Sequence, residues 1–182
     1  ERAWHEHYRA GFEALETGAL ERAHAEICAA LLDAAGFEPR DWRFAETLDE
    51  LGLIDYLLGD DDASAAAQAG AVAEMLLAKG PRAAEVELYA ARLAYPLARA
   101  GRDAQAKSVA AAPYGVFTQG LVPVSRETAR RLDWLVAEYL RIEEMAIARE
   151  LQDVIAKAPK NRGAENGAAT SPPSHAPSRP SR

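Results

Sequence analysis

Few side chains in this 182-residue chain stand where they could do chemistry, and each spacing restricts what that chemistry could be. His24 and Cys28 are four apart, so on a helix they share a face and could converge on a metal ion. A structural zinc needs four ligands and this pair brings two, so the expectation is a packed cysteine beside a solvated histidine. His5 and His7 are two apart and point to different sides of a helix, which excludes a shared ion from one helix. Asp60, Asp61 and Asp62 lack the glycine and distal glutamate of a calcium loop, and acidic residues at a helix start explain them better. Glu143 and Glu144 could be written as an acid/base pair, but such neighbours on a charged helix face are solvated. No phosphate-binding glycine loop, nucleophile elbow or zinc-protease helix motif is present. The expectation is a protein that is not an enzyme, with no catalytic residue, no cofactor and no metal.

Charge and composition narrow the partners. The chain's net charge is −7, residues 157–182 contribute +4, and the body before them is therefore at −11. An acidic body argues against a nucleic-acid face, which needs clustered Lys and Arg for phosphates. No apolar run is long enough to span a bilayer. Cys28 is the only cysteine, so no internal disulfide is possible and the redox compartment stays open. The Ala- and Arg-rich composition points to a GC-rich bacterial genome. The chain begins at Glu1 rather than Met, so the compartment is open. A removed leader would place the protein in the periplasm or on a lipid anchor; otherwise it is cytoplasmic.

What must position any functional side chain is a set of helical hairpins. Gly18, Gly59 and Gly101 recur at intervals of 41 and 42 residues, and each is followed by a helix start. A constant period of this size in an alanine-rich helical chain predicts a repeat array. Residues 4–35 read as one hairpin, with Leu20, Ala23, Ile27, Ala30 and Leu31 at helical spacing in its second helix. Residues 41–79 form a second, capped at Asp41 and ended by Lys79-Gly80-Pro81. Residues 82–111 form a third, with Pro96 inside its first helix and a bend expected near Leu93. Residues 112–124 carry two prolines and two glycines and break the pattern, and the one strand candidate, Val116 to Val124, is interrupted by Gly120 and Pro123. Ser125 caps the next helical segment, either one long helix to about Ala158 or a fourth hairpin turning near Ile142, where no glycine marks a turn. The repeat domain thus covers 1–158, and 159–182 is a Pro/Ser-rich tail expected to be disordered.

The shared phase of Gly11, Ala14, Gly18, Ala23, Ile27 and Ala30 with Leu51-Gly52, Gly59 and Ala71, and with Leu93-Ala94, Gly101, Ala106 and Ala110, resembles the tetratricopeptide repeat family. The longer period is similar to the variant of kinesin light chains. Asp61, Ser64 and Gln68 depart from the pattern, and the unit over 125–158 is degenerate. The resemblance implies an all-α fold, a right-handed superhelical array of about three repeats followed by a C-terminal helix or degenerate fourth repeat. It also implies a concave face built from the first helix of each hairpin, where the family binds peptides. Carried over by position, that face presents Tyr8, Arg9 and Phe12, then Asp49, Leu53 and Tyr56, then Arg92, Tyr95 and Arg99. Asp49 and Glu50 stand where chaperone-binding members carry lysines, so capture of a terminal carboxylate is not expected.

The leading functional expectation is an adaptor or assembly scaffold that holds a peptide or helix of another protein. A second expectation is self-association through 125–158 as a homodimer, because that stretch is apolar on more than one side. A third is an accessory repeat domain of a larger enzyme or of a secretion or envelope system.

Overall fold

Four helical hairpins are closed by the same backbone turn. The computed structural model describes residues 1–159, and within them the chain is helical throughout, with no strand. Helix α1 (Arg2–Glu16) pairs with α2 (Leu20–Ala34), α3 (Trp42–Leu58) with α4 (Asp61–Lys79), and α5 (Ala84–Arg99) with α6 (Asp103–Ala111). A single turn, α7 (Gly115–Thr118), precedes the last pair, α8 (Arg126–Arg141) and α9 (Met145–Lys157). At the first three turns Gly18, Gly59 and Gly101 take φ of 73°, 88° and 73°. At the fourth, Glu143 takes φ 64°, and it lies 42 residues after Gly101. The amide after each of these residues donates back to a carbonyl five residues earlier: Ala19 to Ala14, Asp60 to Asp55, Arg102 to Leu97 and Glu144 to Tyr139, at 2.8–2.9 Å. This is the Schellman arrangement, four times over. Nothing lies within 4 Å of where a Cβ would stand at the three glycines, so they serve the left-handed backbone and no packing need. Open space is also why a glutamate can fill the fourth turn, at a cost in backbone strain of about 1 kcal/mol.

The choice left open between one long helix and a hairpin over 125–158 is thereby settled for the hairpin, with its turn at Ile142–Glu144. Residues 116–124, where Gly120 and Pro123 interrupt the strand pattern, hold the end of α7 and a loop, with Val116 and Phe117 buried. Helix α5 runs unbroken through Pro96. The capping residues act as their types dictate: Asp41, Asp60 and Ser125 each accept a backbone N–H of the first turn they precede. The expected disordered tail lies, from residue 160 on, outside the described residues. No helix among the described residues is long and apolar enough to cross a membrane.

Where the two helices of a hairpin cross, a small residue is buried in every unit: Ala23, Ser64, Ala106 and Ala148. The tightest crossing is in the second hairpin, where a Cβ on Gly52 would meet the Gln68 side chain at 2.4 Å and Ser64 Oγ donates to the Gly52 carbonyl at 2.7 Å. The hairpins do not simply follow one another. Helix α4 is flanked by α3, α5, α7 and α8, so Ala71, Val72, Ala73, Met75, Leu76 and Leu77 are all buried, far more than one stripe of a helix. Helix α6 is short, about 14 Å against about 29 Å for α4 at 1.5 Å per residue. The fourth hairpin fills the space beside the C-terminal half of α4. There Arg131 forks onto Glu74 at 3.1 and 2.7 Å. Arg40, from the α2–α3 loop, donates to the Leu77 carbonyl at 3.1 Å and lies 3.7 Å over the Trp134 ring.

Candidate interaction face

Helices α1, α3 and α5, the first of their hairpins, share one face, and side chains 43 residues apart meet across it. Arg92 of α5 pairs with Asp49 of α3. Arg99 of α5 lies 3.8 Å over the Tyr56 ring, donates to the Tyr56 carbonyl at 2.8 Å and pairs with Asp61. On α1, Tyr8 stacks on Trp4 with ring centroids 4.7 Å apart and leans on Phe12 at 5.1 Å. The α1–α3 seam is closed by Trp4 Nε1, which donates to Thr47 Oγ1 at 2.9 Å.

The residues expected on this face divide by environment. Tyr8, Asp49, Leu53, Tyr56 and Arg92 are half-buried or buried, and Asp49 is only 1% exposed. Phe12 and Tyr95 are exposed, Tyr95 to 66%. Arg9 reaches only Glu13, one turn along its own helix, at 3.5 Å, and joins none of the others. Arg92 and Arg99, expected on the partner-binding face, are paired with Asp49 and Asp61. Sequence reasoning missed Glu46 and Tyr89 and left Glu50 out of the site. The signal was present: 46, 49, 50 and 53 fall at i, i+3, i+4 and i+7, one face of α3.

These additions change the electrostatics of the face. Asp49 and Glu50 flank Arg92, whose guanidinium stands 3.9 Å from Glu50, and Glu46 lies beside Asp49 toward Lys79. Burial pushes the Asp49 carboxyl up to about 6 although Arg92 pulls it down. Burial pushes Glu50 up to about 7, with the Asp49 charge adding to the effect and Arg92 opposing it. Glu46 is raised as well, by burial first, against the pull of Lys79. Tyr8 and Tyr89 are raised by burial and then by these same carboxylates. Asp49 Oδ1 is buried and has no hydrogen-bond partner. A buried acceptor without a donor costs about 1–3 kcal/mol. The face therefore has carboxylates in excess of cations.

His24 and Cys28 do converge, and Asp55 of α3 joins them. Cys28 Sγ is 3.7 Å from His24 Nδ1, and His24 Nε2 is 3.2 Å from Asp55 Oδ1. The order thiol, imidazole, carboxylate is that of a nucleophilic relay, but burial followed by the Asp55 charge pushes the Cys28 thiol up, away from the thiolate. The sulfur sits mid-helix, where the N–H groups that could hold an oxyanion already bond within α2. The arrangement is a hydrogen-bonded clamp between the first and second hairpins. Among the described residues no group of three or more His, Cys, Asp or Glu is disposed to hold a metal ion. A cleft between the 34–41 loop and helices α4 and α8 encloses about 260 Å³, below the ~300–1,000 Å³ of small-molecule sites.

Comparison with protein-family models, with curated proteins and with solved structures finds no match to this chain.

Proposed function

We propose that the protein is an interaction module built on tetratricopeptide-like hairpins, an adaptor or scaffold that holds a segment of a partner protein against α1, α3 and α5. The observation that carries this reading is the run of aromatic and charged side chains across three successive first helices. Tyr8 and Phe12, Tyr56, and Tyr95 stand on one face with ion pairs between them. Aromatic residues and arginines anchor interfaces because they bury much area with few rotors. The four identical turns at 41–42 residue intervals support the repeat reading, and a superhelical array would make this face its concave side.

The test is selection of displayed random peptides on the full chain. Enriched peptides should lose binding to a Tyr56→Ala/Tyr95→Ala variant whose circular dichroism is unchanged. Peptides that bind the double variant equally well place the binding surface elsewhere.

Exposed Leu140 and Met145 beside the fourth turn support a second reading, self-association through the α8–α9 hairpin. Light scattering of the full chain separates the two, since a monomer at high concentration rules out the dimer.

A further inference from the structure

We propose that the α1–α3–α5 face is selective for a partner segment that inserts a lysine or arginine side chain among Glu46, Asp49 and Glu50. This deepens the interaction-module reading and rests on it.

Charge is out of balance here, in a place where charge is costly. The Asp49 and Glu50 side chains are 2% and 13% exposed. Their one guanidinium, Arg92, is committed to Asp49 through Oδ2 and stands beyond hydrogen-bond distance of Glu50. Asp49 Oδ1 is left with no donor at all. A second cation would remove both deficits. Among the described residues the other cation near the face, Lys79 at the end of α4, is bound by Glu85 at 2.5 Å and lies against Trp42. The groups facing the carboxylates are Tyr8 from α1, Tyr89, Arg92 and Glu85 from α5, and Lys79 from α4. Among these only Arg92 and Lys79 are cations. Beside α8, by contrast, the half-buried Glu74 is matched by the fork of Arg131.

The surroundings select an ammonium or guanidinium on a peptide over a metal ion. A divalent cation needs a set of converging oxygens, and no such set is found among the described residues. Tyr8 and Tyr89 place aromatic rings beside the carboxylates, where a side-chain cation gains a further cation–π attraction. Beyond them Phe12, Leu88 and Tyr95 are exposed and would cover the apolar neighbours of the inserted residue.

The experiment uses the full chain at pH 8 and a displayed library of random twelve-residue peptides. Enriched sequences should carry Lys or Arg at one constant position. Replacing that residue by Gln in a synthetic peptide should weaken binding ~10-fold or more, the low end for a close charge pair across an interface. Glu50→Gln and Glu46→Gln should each erase most of that difference while leaving helical content intact. The preference should also shrink at pH 5.5, where Asp49 and Glu50 take up protons. Enriched peptides that lack a fixed basic residue, yet are lost on Tyr95→Ala, overturn this inference and leave the module standing. No enrichment of any peptide overturns both. A synthetic peptide of residues 160–182, with Lys160, Arg162, Arg179 and Arg182 against Glu165, serves as a competitor. If it binds with the same Glu50 dependence, the site belongs to the chain's own basic extension, and the partner assignment falls.

Discussion

Two half-buried charge clusters on the α3–α4 hairpin, one on each helix, differ in charge balance. Beside α8, Glu74 meets Arg131 in a two-pronged pair, and Arg40 is held by a carbonyl and the Trp134 ring. Glu74 is matched by a guanidinium, although Arg131 Nε is buried without a partner, and the cluster fastens the fourth hairpin to the second. On the α1–α3–α5 face, Asp49 and Glu50 share the guanidinium of Arg92, with Glu46 beside Asp49, and one oxygen of Asp49 has no donor. Among the described residues, the carboxylate of the first cluster has its own cation, whereas in the second the carboxylates outnumber the cation they share. This imbalance is the observation on which the proposed partner site rests.

The largest test of this contrast removes the scarce cation. Arg92→Met should destabilise the fold by ~2–3 kcal/mol at pH 8, somewhat less than the ~3–5 kcal/mol for a fully buried pair, because Arg92 is 35% exposed. Urea unfolding should show most of that loss recovered at pH 5, where the orphaned carboxyls protonate. A loss that does not depend on pH would mean that Arg92 acts through packing alone.

Removing one of the surplus carboxylates should have the reverse sign. A carboxyl whose pKa is higher folded than unfolded holds its proton more tightly when folded. Folding is then favoured at low pH, and the advantage is lost as pH rises through about 6 for Asp49 and about 7 for Glu50. Glu50→Gln should therefore stabilise the unliganded protein at pH 8 by ~1–2 kcal/mol, or a few degrees in Tm, and the gain should shrink toward pH 5. Thermal unfolding at the two pH values checks both sign and window.

The matched cluster should behave differently. Arg131→Met should cost ~1–2 kcal/mol with no recovery between pH 8 and 5, because the shallower Glu74 can turn to solvent. The smallest effect concerns the turns. Glu143→Gly should add ~0.5–1 kcal/mol by relieving a left-handed backbone that glycine adopts freely. Gly59→Ala should cost a similar amount, and denaturant midpoints resolve both.

Much of the fold was legible because local chemistry dictates it. Gly18, Gly59 and Gly101 mark turns since a left-handed residue costs a side chain strain, and Asp41, Asp60 and Ser125 mark helix starts since their oxygens satisfy free N–H groups. The fourth turn escaped the same logic because Glu143 tolerates the strain instead of avoiding it, so the period continues in the backbone where it stops in the residue types. The face was half legible. Tyr8, Asp49, Tyr56, Arg92 and Arg99 were placed by phase, but their pairings were not, because each joins helices 43 residues apart whose mutual rotation no local pattern specifies.

From the sequence alone came the first three hairpins and the helix starts at Asp41, Asp60 and Ser125. Those depend on interactions within a few residues, where spacing is geometry. Only the tertiary structure decided that α4 is buried well beyond one stripe, that the fourth hairpin packs beside it, and that Asp49 and Glu50 share one arginine. Burial and charge balance are sums over neighbours brought from far along the chain, and only the packed helices determine which neighbours those are.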